Sequence, residues 1–369
     1  MSDRYKMIPD YRVTARVQIL AEVSDYNHRL MNIPAMWKET RGDGAKLVVL
    51  DTGVPNHCDI LPCGGHSVIA GYKEDLNGHA THVAGIIAAI ANNGMGVAGI
   101  APDVEDYYCA VLDKTGSGDI ESIIAGIRWA VDEVGADIIN MSLGIPASAG
   151  KINALEAACE YAVNNGVTII AAAGNEYGKV GQPAQYDCVI SVAAVNDKME
   201  HAAFSNTGRE VDFAAGGVNV YSTYLGNSYA KLSGTSMASP ALAAVAALIQ
   251  AKHIKEGNRL DPTELKDHLR KIAYDIGPEG VDDIFGYGIP IFGKDQDNDT
   301  PPVPEQPTDR IKKLGPLADC AYWRMWNDFI SEVNYGLDKG AGLKDAVELG
   351  IRALGTKTEL INLALKAKK

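Results

Sequence analysis

The sequence predicts an α/β fold with a mostly parallel sheet between layers of helices. Three observations lead there. Continuous apolar runs recur at LVVLD (47–51), YYCAVL (107–112), DIINMSL (137–143), VTIIAAAGN (167–175) and VISVAAV (189–195), as in strands buried on both faces. Helical patterns lie between them, at 121–133 and 152–164, so strand and helix alternate as in βαβ units. The third observation is composition: 369 residues with 46% hydrophobic content and 38 glycines can build a large, closely packed core.

In chain order, residues 1–35 read as a polar N-terminal extension with some helical pattern, and the α/β texture sets in shortly after, from Lys46. The run 47–51 places Asp51 at the carboxyl end of a buried strand, where functional groups gather in such folds. NGHATHVAGIIAAI (77–90) opens a helix at His79 whose small residues permit close packing. AAAGNEYG (171–178) puts Asn175 just beyond another strand. In LSGTSMASPALAAVAALI (232–249), Gly234 lets the backbone bend and Ser236 begins a helix that is apolar nearly all round, hence buried. Pro240 is early enough in that helix to be tolerated.

The α/β pattern stops near Gly293. KDQDNDTPPVPEQPTD (294–309) is acidic and proline-rich and reads as a linker. Residues 310–369 read as a small helical C-terminal segment. Tyr322, Trp326, Phe329 and Val333 recur at helical spacing, as do Leu343, Val347, Ile351 and Leu354, either as the core of a bundle or, for the aromatic stripe, as a binding surface.

A formal net charge of -13 argues against a nucleic-acid partner, because an acidic chain repels phosphate. The first twenty residues lack the apolar run of a secretory leader, and the longest apolar stretch, 241–249, is too short to span a bilayer. The six cysteines, at 58, 63, 109, 159, 188 and 320, are scattered, several in apolar runs. Cys58 and Cys63 lack the second pair or histidine cluster of a zinc site. The expectation is a cytoplasmic protein without a membrane partner.

Taken singly, each candidate site residue has a plain structural reading. Asp51 before Thr-Gly could cap a turn, and Gly-Asn at 174–175 is a common turn pair. Ser236 could be a simple helix cap. His79 and His82 are spaced for a metal, yet no glutamate accompanies them as in zinc proteases, and His82 reads as an interior histidine with satisfied nitrogens. Together they form a different pattern. An acid, a histidine, an amide and a serine occur in that order, each at a strand or helix end. A serine at a helix start sits where the dipole and free amides favour negative charge, and a side-chain amide at a strand end is a good donor to a developing oxyanion.

DTG, GHATHVAG, AAAGNE and GTSMASP closely resemble the signature segments of the subtilisin-like serine proteases, and the likeness runs over about residues 36–293. The Asp, His, Ser chain order is that known for subtilisin. The resemblance implies a three-layer subtilisin-like fold and an endopeptidase with Asp51, His79 and Ser236 as catalytic triad. It implies Asn175 as oxyanion donor, two substrate-binding edges at Gly116, Ser117, Gly118 and at Ser142, Leu143, Gly144, and Gly181 at the base of a roomy pocket for a large apolar P1 side chain. Protein or peptide substrates follow; a homo-oligomer is left open. A structural calcium ion is implied in the loop ANNGMGVAGIAP (91–102), with Asp59, the Asn93 side-chain oxygen and the carbonyls of Ala91, Met95 and Val97 as ligands. The departures are Ala80 where the family usually has glycine, Ala241 where it often has histidine, and a short segment between Asn175 and Pro183.

Two other classes compete. A non-catalytic protein on the same fold would usually have lost one of Asp51, His79, Asn175 or Ser236. An esterase would carry a G-x-S-x-G elbow around Ser236, which is absent. Within the family the chain is similar to the intracellular subtilisins of bacteria: MIPDY (7–11) resembles their short N-terminal Leu-Ile-Pro-Tyr segment, with Asp10 as an extra residue. Residues Met7 to Asp10 are therefore expected along the substrate cleft, pairing with 116–118 and 142–144.

Overall fold

The computed structural model describes residues 4–8, 13, 15–17, 22–71 and 73–293. All belong to one unit, Met1–Asp309. The expected linker 294–309, the helical segment 310–369 and Cys320 lie outside the described residues.

Three short strands open the chain: β1 (Arg4–Lys6), β2 (Ala15–Val17) and β3 (Val23–Ser24). Helix α1 (Tyr26–Leu30) follows, capped by Asp25, whose side chain accepts from the Asn27 amide. Helix α2 (Ile33–Met36) comes next. Leu30, Met31, Ile33 and Met36 are buried in the main core. The stretch before residue 36 thus already contributes apolar packing rather than only a polar extension.

The central strand β4 (Lys46–Asp51) is buried from Leu47 onward. It is followed by β5 (Gly64–Ser67), α3 (His79–Ala88), β6 (Val97–Ala98), β7 (Glu105–Ala110), β8 (Ser117–Asp119) and α4 (Ile120–Trp129). Next come β9 (Ile138–Met141), α5 (Asn153–Asn164), β10 (Thr168–Ala172), β11 (Ile190–Val195) and β12 (Phe213–Gly216). The hairpin β13 (Val220–Tyr224) and β14 (Ser228–Leu232) leads into α6 (Thr235–Lys255), then α7 (Pro262–Ile272), β15 (Ala273–Tyr274) and β16 (Ile289–Pro290).

Seven strands form one sheet in the order β12-β11-β10-β9-β4-β7-β5, every neighbour parallel. The α/β expectation therefore holds. Helices α3 and α6 cover one face, and the apolar stripes of α4 and α5 cover the other, giving three layers with a core on each side of the sheet. Helix α6 is buried without a break from Thr235 to Ala251, which explains its apolar character all round. It is long and apolar enough to cross a membrane by length and composition, but most of that surface faces the protein interior.

The strand at 107–112 ends earlier than its apolar run suggests. The amides of Val111 and Leu112 both donate to the carbonyl of Asp51, at 3.0 and 3.1 Å. The Val111 bond continues the register of the ladder, while Leu112 doubles back to the same carbonyl and ends the strand. The strand order also reverses at β4 and β9, the kind of switch point where α/β sheets open a crevice for ligands. Asp51 ends β4, and Ser142 follows β9 directly.

Candidate active site

Asp51 is fully buried at the carboxyl end of β4. His79 is the first residue of α3, and its Nδ1 lies 2.9 Å from both Asp51 carboxylate oxygens. The Thr52 amide donates to the same carboxylate at 2.7 Å. A buried acid against an imidazole nitrogen fixes which ring nitrogen carries the proton and directs Nε2 away from the acid.

A second acid organises the helix start. The buried Asp75 side chain accepts from Thr52 Oγ1 (2.9 Å), from the amides of Asn77, Gly78 and Thr81 (3.0, 2.9 and 2.8 Å) and from Thr81 Oγ1 (2.6 Å). These bonds satisfy orphan amides at the amino end of α3 and suit its positive dipole end. Thr52 Oγ1 also accepts from the Ala80 amide, so one hydroxyl ties the end of β4 to the first turn of α3. Gly78 caps that turn at φ 99°, and a Cβ there would meet the Tyr224 ring at 2.6 Å. Only glycine fits both the backbone and the contact.

Ser236 is the second residue of α6, with Gly234 as the cap. Its backbone carbonyl accepts from Ser142 Oγ at 2.9 Å. Asn140 Nδ2 donates to Ser142 Oγ, and Ser239 Oγ donates to Asn140 Oδ1, so a buried polar chain joins β9 to the first turn of α6. Asn175 Oδ1 accepts from the amide and hydroxyl of Thr235, at 2.8 and 3.0 Å. The amide is thereby oriented with Nδ2 as its remaining donor. A Cβ built on Gly234 would lie 3.4 Å from Asn175 Nδ2 and 3.7 Å from the Ser236 amide. Gly234 therefore leaves the Asn175 amide and the backbone of Ser236 close to one another without a side chain between them.

Asn175 and Ser236 both stand in the wall of a pocket lined also by Met7, Leu143, Ile145, Ala172, Ala173 and Gly181. Gly181 forms part of the lining, and a Cβ there would sit 2.7 Å from the Ile145 carbonyl. The pocket is mainly apolar with a few converging polar groups, the usual make-up of a side-chain binding site.

The two expected substrate edges flank this pocket, and the chain itself occupies them. Strand β1 pairs antiparallel with β8, Tyr5 opposite Gly118 and Lys6 opposite Ser117. The amides of Met7 and Ile8 donate to the Gly116 carbonyl at 3.0 and 3.1 Å, and the Gly144 amide donates to the Met7 carbonyl at 3.0 Å. Met7 and Ile8 are buried, and the Arg4 guanidinium pairs with the Asp113 carboxylate. Pro9 and Asp10 lie outside the described residues.

His82 is interior, as expected, but only one of its nitrogens is satisfied, Nδ1 being buried without a hydrogen-bond partner among the described residues. Its Nε2 faces the carbonyls of Val220 and Ala230, and burial lowers its pKa to about 3, so it stays neutral. Among the described residues no cluster of three or more His, Cys, Asp or Glu side chains gathers as a metal site. Of the residues expected around calcium, Asp59 bonds to Asn93 and Val97, and Met95 to Asn93, while Val97 and Met95 meet these side chains through their amides rather than their carbonyls. Asp59, fully buried, accepts from Asn93 Nδ2 (2.6 Å), the Val97 amide (3.1 Å) and the Tyr229 hydroxyl (3.2 Å). Glu22 accepts from the Asn93 amide at 2.9 Å. One expectation is corrected here: Asn93 turns its nitrogen, not its oxygen, toward Asp59, because Oδ1 is held by the Met95 amide at 2.9 Å. Burial pushes the Asp59 carboxyl up to about 7. Among the described residues the hydrogen-bond donors to the Asp59 side chain are neutral and Glu22 adds a like charge nearby, a setting in which a hard cation would relieve buried charge.

The sequence motifs did not single out Asp75, Thr52, Asn140, Ser239 or Thr235. Asp75 had a readable signal, an acid four residues ahead of a helix-opening histidine. The others act through side-chain geometry that no spacing rule encodes.

The subtilase family model matches residues 42–288. The chain is 43% identical over 270 residues to the minor extracellular protease Epr of Bacillus subtilis (strain 168), covering 72% of this chain and 40% of that protein. It is 42% identical over 256 residues to subtilisin DY of Bacillus licheniformis, covering 67% of this chain and 88% of the relative. Subtilisin Savinase of Lederbergia lenta is 41% identical over 251 residues, covering 67% and 89%. The fold, the Asp51–His79 pair, the oriented Asn175 amide beside Ser236 and these likenesses agree that the chain belongs to the subtilase family of subtilisin-like serine proteases.

Proposed function

We propose that the protein is a broad-specificity endopeptidase that works through Asp51, His79 and Ser236 and prefers large apolar residues at P1. The observation that carries this reading is that Ser236 and the oriented Asn175 amide share the wall of one mainly apolar pocket. Ser236 Oγ attacks the peptide carbonyl while His79 takes its proton. Asn175 Nδ2 and the Ser236 amide hold the resulting oxyanion, and Asp51 stabilises the imidazolium. His79 then gives the proton to the departing amine, leaving an acyl-enzyme that water hydrolyses by the same steps.

Gly181 supports the P1 preference. Gly181→Val drives a Cβ against the Ile145 carbonyl in the pocket wall and narrows the pocket by shifting that wall, so it is expected to lower kcat/KM for Phe or Leu at P1 by about tenfold or more, while peptides with Ala at P1 lose less. A panel of fluorogenic peptides differing only at P1 reads this. Equal losses across the panel would move the P1 pocket elsewhere.

Residues 4–8 favour self-inhibition. They lie along the two edges as an added strand, the mode by which extended peptides bind sheet edges. An attached segment also competes at high effective concentration. A variant lacking residues 1–12 is expected to cleave peptides several-fold faster than the uncut full chain, and a peptide of residues 1–12 added in trans should slow it. Equal rates in demonstrably uncut samples would contradict inhibition.

A structural calcium ion is proposed on Asp59, with Asn93, the carbonyls of Ala91, Met95 and Val97, and Glu22 nearby. The cation would replace the Asn93 Nδ2 and Val97 amide donors on the Asp59 carboxylate, with Asn93 turning its oxygen inward, and it stabilises the native state by mass action when it binds. Melting curves with calcium and with chelator are expected to differ by several degrees, and Asp59→Ala should abolish the difference. Identical midpoints in the unaltered protein would remove the ion. A cytoplasmic location is also proposed, supported by Cys63, Cys109, Cys159 and Cys188, which carry free thiols.

A further inference from the structure

We infer that Asn206 is a positioning residue for catalysis: its side chain sets the loop that aims Asn175 at the oxyanion. The inference rests on the serine-protease reading above and adds a residue to it. Asn206 follows β11 by a loop, 31 positions along the chain from Asn175, and is 1% exposed.

All of its amide capacity is spent on residues 173–178. Nδ2 donates to the Ala173 carbonyl at 3.2 Å and to Glu176 Oε2 at 2.7 Å. Oδ1 accepts from the amides of Glu176 and Gly178, each at 2.9 Å. The Asn206 backbone amide donates to the Gly174 carbonyl at 2.9 Å. Glu176 in turn accepts from the Asn175 amide at 3.0 Å. Both flanks of Asn175 are therefore anchored to one buried side chain, while Asn175 itself touches Thr235.

Gly174 shows how tight the arrangement is. It has φ 110°, and a Cβ there would meet Asn206 Nδ2 at 2.2 Å. The glycine permits the turn, and Asn206 fills the space the missing side chain leaves. With two donors and two acceptors placed in complementary fashion, the orientation of the amide is set by its partners. Truncation frees the loop amides to find water and lets residues 174–176 drift. An oxyanion donor tolerates little drift, because a displacement of about 1 Å can cost on the order of 10²-fold in rate.

The test is a double-mutant cycle in the full chain, with Asn206→Ala, Asn175→Ala and the double variant, and Ser236→Ala as the zero-activity baseline. Asn206→Asp is included as an isosteric second variant: it keeps both acceptors but loses both donors. The cycle cancels effects common to both backgrounds, including occupancy of the cleft by residues 4–8. The expected result is a kcat lowered about 10- to 100-fold in Asn206→Ala, KM within about twofold, and a matching loss of affinity for a peptide boronic acid that mimics the tetrahedral state. In the Asn175→Ala background the Asn206 change should have little further effect on kcat. Asn206→Asp should be at least as slow as Asn206→Ala, because it sets a buried carboxylate against Glu176 Oε2 and the Ala173 carbonyl where Nδ2 donated. Unchanged kcat in folded Asn206→Ala, or an equal drop in both backgrounds, would overturn the inference. An active Ser236→Ala baseline would instead overturn the underlying protease reading.

Discussion

Replacing Ser236 by alanine is expected to lower turnover by about 10⁶-fold and to leave the melting temperature nearly unchanged. That size of loss is known from the corresponding change in subtilisin itself. The structure explains why so little stability is at stake. The cap of α6 is Gly234, so no helix-capping bond depends on the serine side chain. The bond from Ser142 Oγ ends on the Ser236 backbone carbonyl and survives the substitution. Alanine is also the best helix former for an interior helical position. Chemistry, by contrast, loses its nucleophile. Burst and steady-state assays with a chromogenic peptide, alongside thermal melts, check both halves of this expectation.

The second large effect is expected at Asn175. Asn175→Ala should reduce kcat by about 10² to 10³ with KM little altered, a range that also comes from subtilisin. The reasoning is specific to this chain. Thr235 holds Oδ1 with two bonds, so the amide does not rotate freely and Nδ2 is committed to one direction. Alanine removes that donor and leaves the Thr235 amide and hydroxyl short of an acceptor. The site is half-buried, so water can partly replace it, and the stability loss should be about 1 kcal/mol. Asn175→Asp separates the two functions: it retains the acceptor for Thr235 and lacks the donor. It should therefore restore the melting temperature more than the rate. Full activity in either variant would assign the oxyanion to other groups.

The fold and the site were legible in the sequence to different depths. The parallel sheet announced itself because strands buried on both faces are continuous apolar runs, and 47–51 or 189–195 have few other readings. Helix α6 was legible for the same reason, being apolar on every face. Strand limits were less so: the run 107–112 overshot β7, because the Leu112 amide doubles back to the Asp51 carbonyl that Val111 already uses. Residues 26–36 were also less polar in role than their sequence texture, since two short turns suffice to bury Leu30, Met31, Ile33 and Met36.

At the site, Asp51, His79, Asn175 and Ser236 stood out through four compact motifs. Their supports did not. Asp75 gathers five bonds and Asn206 four, yet each lies in a loop whose partners are set by tertiary packing. A polar residue in a loop looks the same in sequence whether it faces water or fills a slot under a glycine. The orientation of Asn93 was hidden likewise, because it depends on the Met95 amide two residues on.

The central claim is that Ser236 is a nucleophile activated by the Asp51–His79 pair. Its most direct test is labelling with a fluorophosphonate in a preparation that demonstrably cleaves protein, followed by mass-spectrometric mapping of the adduct. The expected result is one adduct per chain, on Ser236, with labelling lost in His79→Ala although that variant remains folded. An adduct on another residue, or no adduct while cleavage continues, would contradict the assignment.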